Sequence, residues 1–115
     1  MTIEDEMLRL PKLKHIGLAL VQFVYSLEKG TFVKRTTDWV YQPNNFIAFG
    51  FLKKGEQIVM HISNDCDPPD FDEKDLAILP HYQGHWKPRC IIKQPRQLAC
   101  AARYIEVLHR RHRPK

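Results

Sequence analysis

The chain has 115 residues, of which 43% are hydrophobic, and its 18 Lys and Arg outnumber its 13 Asp and Glu to give a formal net charge of +5. This length suits one domain with one core, and the hydrophobic fraction is too high for a disordered chain. No apolar run approaches the roughly 18 residues of a membrane span. The N-terminus is acidic where a signal peptide is basic, and three scattered cysteines do not form a disulfide framework. We therefore predict a single cytoplasmic domain over residues 1–115, without a membrane partner.

The charge is distributed unevenly along the chain. Residues 1–84 have a net charge of −3, and residues 85–115 have a net charge of +8 with Glu106 as their one acid. Six acids also fall within residues 65–75. A strongly basic end indicates either an anionic partner or a self-complementary surface.

The first third of the chain predicts two helices. Thr2 followed by Asp5 is typical of a helix N-terminus, so we expect a short helix over residues 1–10, which Pro11 interrupts. Apolar residues at three- and four-residue steps then predict an amphipathic helix over about residues 12–28. Gly30 suits a left-handed cap at its end.

The middle of the chain predicts strands. β-branched and aromatic residues indicate strands at 31–41, 46–52, 57–62 and 87–93, with a bend allowed within the first strand and a hairpin connection at 53–56. Pro95 then begins a last helix, and a basic tail follows over residues 110–115. The predicted fold class is α+β, an antiparallel sheet of three to four strands with the N-terminal and C-terminal helices packed on one face. The other face is expected to be partly exposed.

Residues that could bind metal or catalyse a reaction are few. His81 and His85 have a spacing that binds zinc on a helix, but Gly84 lies between them, so backbone hydrogen bonding is the simpler interpretation. The acids of residues 65–75 lack the glycine of a calcium loop. Cys90 follows Arg89, which favours a thiolate, yet its position in a strand indicates a half-buried structural thiol. We therefore predict no catalytic residue, no metal and no cofactor.

The basic C-terminal quarter is the main candidate binding region. Arginine outnumbers lysine there, which favours bidentate contacts with phosphate, although cations at a helix C-terminus also simply complement the helix dipole. Tyr82 and Trp86 could stack on bases. The candidate phosphate contacts are Lys87, Arg89, Lys93, Arg96, Arg103, Arg110, Arg111 and Arg113.

Residues 39–111 resemble a small domain of unknown function that occurs in predicted transport proteins and beside restriction-type nuclease domains. The matching features, in chain order, are Tyr41 with Asn45-Phe46, Lys53-Lys54, Asp67-Pro68, Gly84-His85-Trp86 and Tyr104-Ile105. The resemblance implies one sheet with flanking helices and no known catalytic activity. The chain departs from the family in the Lys87-Pro88-Arg89 run, where a Gly-rich turn is more usual.

Three functions follow as hypotheses. The first is a non-enzymatic module that binds nucleic acid through the basic C-terminal quarter. The second is a homodimer that associates through an exposed sheet face bearing Phe46, Phe49 and Phe51. The third is a small-ligand or metal site near His81 and His85.

Overall fold

The computed structural model describes residues 1–43, 46–62, 78–79 and 89–111. Its described helices are α1 (Ile3–Leu8), α2 (Lys14–Leu27) and α3 (Leu98–Arg111). Its described strands form one antiparallel sheet in the order β1-β2-β3-β4-β6-β5. The strands are β1 (Thr31–Lys34), β2 (Asp38–Gln42), β3 (Ile47–Leu52), β4 (Gln57–Ile62), β5 (Ile78–Leu79) and β6 (Arg89–Ile92).

The predicted start of the first helix is confirmed. The Thr2 hydroxyl accepts a hydrogen bond from the Asp5 N–H at 3.2 Å, and the Asp5 carboxylate accepts one from the Thr2 N–H at 2.9 Å. These bonds satisfy N–H groups that a helix terminus otherwise leaves unpaired. They also hold the pKa of Asp5 below its ordinary value.

The α+β class with an antiparallel sheet is confirmed, but the predicted strand count of three to four was wrong. Five strands have four or more residues, and β5 is a sixth strand of two residues. The segment predicted as one strand over residues 31–41 is two strands, and the Arg35 N–H donates to the Asp38 carbonyl at 2.8 Å where the chain reverses. Its turn contains Thr36 and Thr37 rather than Gly, Pro or Asn, so the sequence showed no turn signal.

The predicted hairpin between β3 and β4 is confirmed. Leu52 pairs with Gln57, and a 3-10 turn over Lys53–Gly55 joins the two strands. Lys53, Lys54 and Gly55 all have positive φ, at 53°, 56° and 86°. Two non-glycine residues in this region are unusual, because the left-handed conformation crowds Cβ against the carbonyl oxygen.

All three helices contact the same face of the sheet. Trp39 of β2 contacts α1, Phe32 of β1 contacts Tyr25 of α2 at 5.8 Å between ring centroids, and Cys90 of β6 contacts Tyr104 of α3. The alternating sheet residues that join this core are Phe32, Trp39, Tyr41, Ile47, Phe49, Phe51, Ile58, Met60, Cys90 and Ile92.

The phenylalanine surface expected for a homodimer is therefore wrong. Phe49 is 0% exposed and pairs with Met60 on the helix side, Phe51 packs partly buried against the core, and Phe46 is 0% exposed beside His109 of α3. The opposite face is partly exposed, as expected, because Val33 is 46% exposed there, whereas Val40, Ala48 and Val59 on the same face are buried. Period-two alternation assigns these side chains to two faces but does not say what covers each face.

The far ends of α2 and α3 are joined by polar contacts. The buried His109 side chain lies 2.8 Å from the Glu28 carboxylate, and the Tyr41 hydroxyl donates to the Glu28 carbonyl at 2.6 Å. Helix α3 continues through Arg111, so Arg110 and Arg111 are helical and do not belong to the predicted tail. Gly30 does not adopt the predicted left-handed cap, since Gly55 is the described glycine with positive φ.

Candidate nucleic-acid interface

Helix α3 has one apolar face and one basic face. Its core-facing side chains are Cys100, Ala101, Tyr104, Ile105 and Leu108, each at most 5% exposed. Arg103 and Arg110 are exposed on the other side. Because seven residues complete almost two helical turns, these arginines lie on one face about 10.5 Å apart along the axis. The buried face anchors the helix and leaves the arginine face toward solvent.

Arg96 extends this basic face toward the N-terminus of α3. It is exposed and lies in a 3-10 turn over Pro95–Gln97 that leads directly into the helix. Pro95 suits this position because the first N–H of a helix has no partner to lose. Arg96 precedes Arg103 by seven residues, the same interval along the sequence as that between Arg103 and Arg110.

Gln97 fixes the connection between β6 and α3. Its side-chain oxygen accepts hydrogen bonds from the Lys93 N–H at 2.6 Å and the Gln94 N–H at 2.9 Å, and its amide nitrogen donates to the Ile91 carbonyl at 3.4 Å. One side chain therefore satisfies three backbone groups at the bend. This arrangement positions the exposed Lys93 directly before the arginine face.

An acid also lies on the basic side of α3. Glu106 pairs with Arg110 one turn later, and their side chains are 39% and 70% exposed. Such an exposed pair contributes only about 0.3–0.5 kcal/mol to stability. Arg103 contacts the Cys100 sulfur at 3.8 Å. The face is therefore predominantly, but not purely, cationic.

Four of the predicted phosphate contacts are exposed along α3 and the bend that precedes it, namely Lys93, Arg96, Arg103 and Arg110. Arg89 lies in β6, and Arg111 is the last residue of α3. The remaining candidates lie outside the described residues, and these are Tyr82, Trp86, Lys87 and Arg113, together with the metal candidates His81 and His85. Across the described part of the chain, no group of three or more His, Cys, Asp and Glu side chains could hold a metal ion.

The two described cysteines are core residues. Cys90 is 0% exposed, and burial raises the pKa of its thiol to about 12, although its hydrogen bond with Tyr104 acts in the opposite direction. Cys100 is 5% exposed. The buried position agrees with the prediction of a structural thiol at Cys90, although the thiol is fully rather than half buried, and burial raises its pKa where the neighbouring Arg89 was expected to favour the thiolate.

Sequence reasoning missed basic residues that do not belong to the C-terminal quarter. Ile92 of β6 pairs with Ile58 of β4, which lies immediately after the turn that contains Lys53 and Lys54. Lys93 and Arg96 are thus brought to the same end of the sheet as two lysines from the middle of the chain. The sequence shows the two lysines in the hairpin, but only the pairing of β4 with β6 shows that they lie near Lys93 and Arg96.

Comparison of the chain with protein-family models, with curated proteins and with solved structures finds no match. The resemblance of residues 39–111 to the domain of unknown function therefore stays a prediction. Within the described residues, no helix combines the length and the apolar character needed to cross a membrane.

Proposed function

We propose that this protein binds the phosphate backbone of nucleic acid through the exposed face of α3, without catalysing a reaction. The observation that supports the proposal is the exposure of Arg96, Arg103 and Arg110 at seven-residue intervals, opposite the apolar face that fills the core. Guanidinium groups match the geometry of phosphate and stay charged at all physiological pH values. A regular row of them suits a ligand whose phosphates also repeat.

Binding through this face should depend little on base sequence. Contacts with phosphate position a protein on nucleic acid, whereas contacts with base edges specify the sequence. The exposed positions of α3 include Ala99, Arg103 and Arg110 and no aromatic residue. Stacking would have to come from elsewhere, and Tyr82 and Trp86 stay the candidates for it.

Salt dependence tests the proposal. Binding of a short DNA duplex, measured by fluorescence anisotropy at several salt concentrations, should show a slope of log affinity against log salt of roughly −3 or steeper, because each of the three arginines neutralises one phosphate. Arg103→Gln should weaken binding and reduce the magnitude of that slope by about 1. Glu106→Gln removes the acid from the same face and should strengthen binding.

Arg35→Gln is the matched control. Arg35 is an exposed cation in the turn between β1 and β2, and β1 forms the sheet edge opposite β5. Its replacement changes the net charge by the same amount as Arg103→Gln. The proposal fails if the wild-type protein does not bind the duplex at low salt, or if the two arginine variants lose affinity equally.

The other two hypotheses gain no support from the described residues. The homodimer was expected to use Phe46, Phe49 and Phe51, of which the first two are 0% exposed and the third packs against the core. The small-ligand or metal site rests on His81 and His85, which lie outside the described residues. Both stay predictions.

A further inference from the structure

Three connections of the fold meet at one end of the sheet. The turn between β3 and β4 is next to the end of β6, because Ile58 pairs with Ile92. The connection between α1 and α2 reaches the same turn, since a side-chain atom placed on Gly55 would lie 3.2 Å from Leu10 and 3.6 Å from Pro11. We call this the hairpin end and define it as residues 10–14, 53–57 and 93–97.

The hairpin end is strongly basic although its three segments are far apart in sequence. It contains six cations and a single acid, Glu56. All six cations are exposed, and they are Lys12, Lys14, Lys53, Lys54, Lys93 and Arg96. Clustered charges of one sign raise the local potential and attract counter-ions more strongly than the same charges spread over the surface.

The two turn lysines are held against their backbone preference. Lys53 and Lys54 have φ values of 53° and 56°, and each such non-glycine residue costs about 1–2 kcal/mol relative to a right-handed conformation. Glycine or asparagine would occupy these positions at lower cost. Backbone strain of this kind is concentrated at functional sites, where the side chain is needed despite its cost.

The hairpin end is continuous with the arginine face of α3. Arg96 belongs to both surfaces, and Arg103 follows it in the second turn of α3. Lys93 lies between the sheet and the helix, and Gln97 fixes its backbone. A polyanion that follows the arginines toward the start of α3 therefore reaches the lysines of the turn.

We propose that the hairpin end is a second phosphate-binding surface, in which Lys53 and Lys54 contact the backbone of the same nucleic acid that α3 binds. This inference rests on the proposed function. It extends the interface beyond the C-terminal quarter of the chain and assigns a binding role to lysines from the β3–β4 turn. The ligand class is a nucleic-acid segment long enough to contact both the turn and α3.

The first experiment compares two single substitutions of equal charge. Lys54→Asn removes a cation from the turn with a residue that tolerates positive φ. Lys29→Asn removes an exposed cation from the opposite end of the molecule, directly after Glu28, which contacts His109. In the duplex titration Lys54→Asn should weaken binding about tenfold near 0.1 M salt and reduce the slope by about 1, and Lys53→Asn should behave alike.

The control variant Lys29→Asn should lose clearly less affinity for the duplex than Lys53→Asn or Lys54→Asn. If Lys54→Asn and Lys53→Asn bind the duplex as Lys29→Asn does, the hairpin end takes no part in binding and the inference is overturned. The proposed role of α3 would survive that result, provided that Arg103→Gln still weakens binding.

A second experiment tests anion binding at the hairpin end without nucleic acid, so that the inference can be judged separately from the proposed function. Inorganic tripolyphosphate is titrated into the wild-type protein, and backbone amide shifts are followed by NMR. Shifts at Lys53, Lys54 and Lys93 in the wild-type protein, with a smaller shift at Lys93 in the double variant Lys53→Asn/Lys54→Asn, support an anion surface. If no duplex binds in that case, the nucleic-acid function fails alone. Absence of such shifts contradicts the inference.

Discussion

The indole nitrogen of Trp39 donates a hydrogen bond of 2.8 Å to the carboxylate of Glu6, which ties α1 to the second strand of the sheet. The other oxygen of the same carboxylate accepts a bond of 2.6 Å from Lys34, whose ammonium also lies 5.2 Å from the centre of the Trp39 ring. A six-residue helix is too short to be stable by itself. This cluster, together with the buried Ile3 and Met7, holds it on the sheet.

Replacing Glu6 by glutamine should destabilise the protein in a pH-dependent way. Partial burial raises the pKa of Glu6, but the hydrogen bonds from Lys34 and Trp39 outweigh it and the pKa is lowered overall. The ionised carboxylate therefore stabilises the fold above its ordinary value of 4.5, and this stabilisation is lost as the pH falls. We expect a loss of about 1–2 kcal/mol at neutral pH in urea unfolding, which shrinks in acid. A loss of stability that does not change with pH would contradict this account. Glu56→Gln, which replaces an exposed carboxylate after the β3–β4 turn, is the control.

Replacing Lys54 by glycine should stabilise the protein. Relief of the left-handed backbone strain stabilises the folded state by about 1–2 kcal/mol. The greater conformational entropy of glycine in the unfolded chain offsets part of this, so the free energy of unfolding should rise by about 0.5–1 kcal/mol. Lys29→Gly, at a residue without positive φ, should instead lose stability. Thermal unfolding of both variants measures the difference, and a loss in both would show that the turn is not strained.

Replacing Gly30 by alanine should destabilise the fold by about 1–3 kcal/mol, because the added methyl group overpacks a site bounded by backbone. Its Cβ would lie 2.4 Å from the Gln42 carbonyl oxygen and 2.6 Å from the Tyr41 hydroxyl. Gly17→Ala is the comparison, since its Cβ would meet the Met7 sulfur at 2.2 Å and a methionine side chain can move. Chemical denaturation should show the larger loss for Gly30→Ala, and the reverse order would contradict the model of backbone crowding.

The Cys90 thiol should resist alkylation in the native protein. Its pKa is raised to about 12 by burial, so the reactive thiolate is scarce at about pH 8 and the sulfur is shielded as well. Labelling with a maleimide followed by peptide mass spectrometry should detect Cys90 only after unfolding in urea. Rapid labelling of Cys90 in the native protein would contradict this prediction.

The same raised pKa predicts an alkaline limit to stability. A group whose pKa is higher in the folded than in the unfolded state favours folding below the unfolded value, and this contribution is lost as the pH rises from 9.0 toward about 12. Cys90→Ala removes the titrating group, so its stability should change less with pH over this range. Equal pH dependence of the two proteins would assign the alkaline loss to other groups, such as Tyr25, whose pKa burial also raises to about 12.

Several elements could be predicted because their signals are local. The Thr2 cap, the turn at Lys53–Glu56 and the helix that follows Pro95 each depend on residues a few positions apart. A bend was allowed for within residues 31–41, but the complete reversal between β1 and β2 was not predicted, because Thr36 and Thr37 favour strands and the turn is made by the Arg35–Asp38 backbone bond. The face toward which the phenylalanine side chains point could not be predicted either, since alternation alone does not say which face the helices cover.

The sequence by itself determined that this is a basic α+β chain with its cations in excess near the C-terminus, and the seven-residue spacing of Arg96, Arg103 and Arg110 was readable there. Only the tertiary structure decided that Arg103 and Arg110 lie on the exposed side of α3 and that Lys53 and Lys54 lie near Arg96 at the hairpin end. The reason is that charge counts along a chain ignore which distant segments pair. The bonds between β4 and β6 bring residues from the middle and the end of the chain together, so the basic surface extends beyond the quarter of the sequence in which its charge is counted.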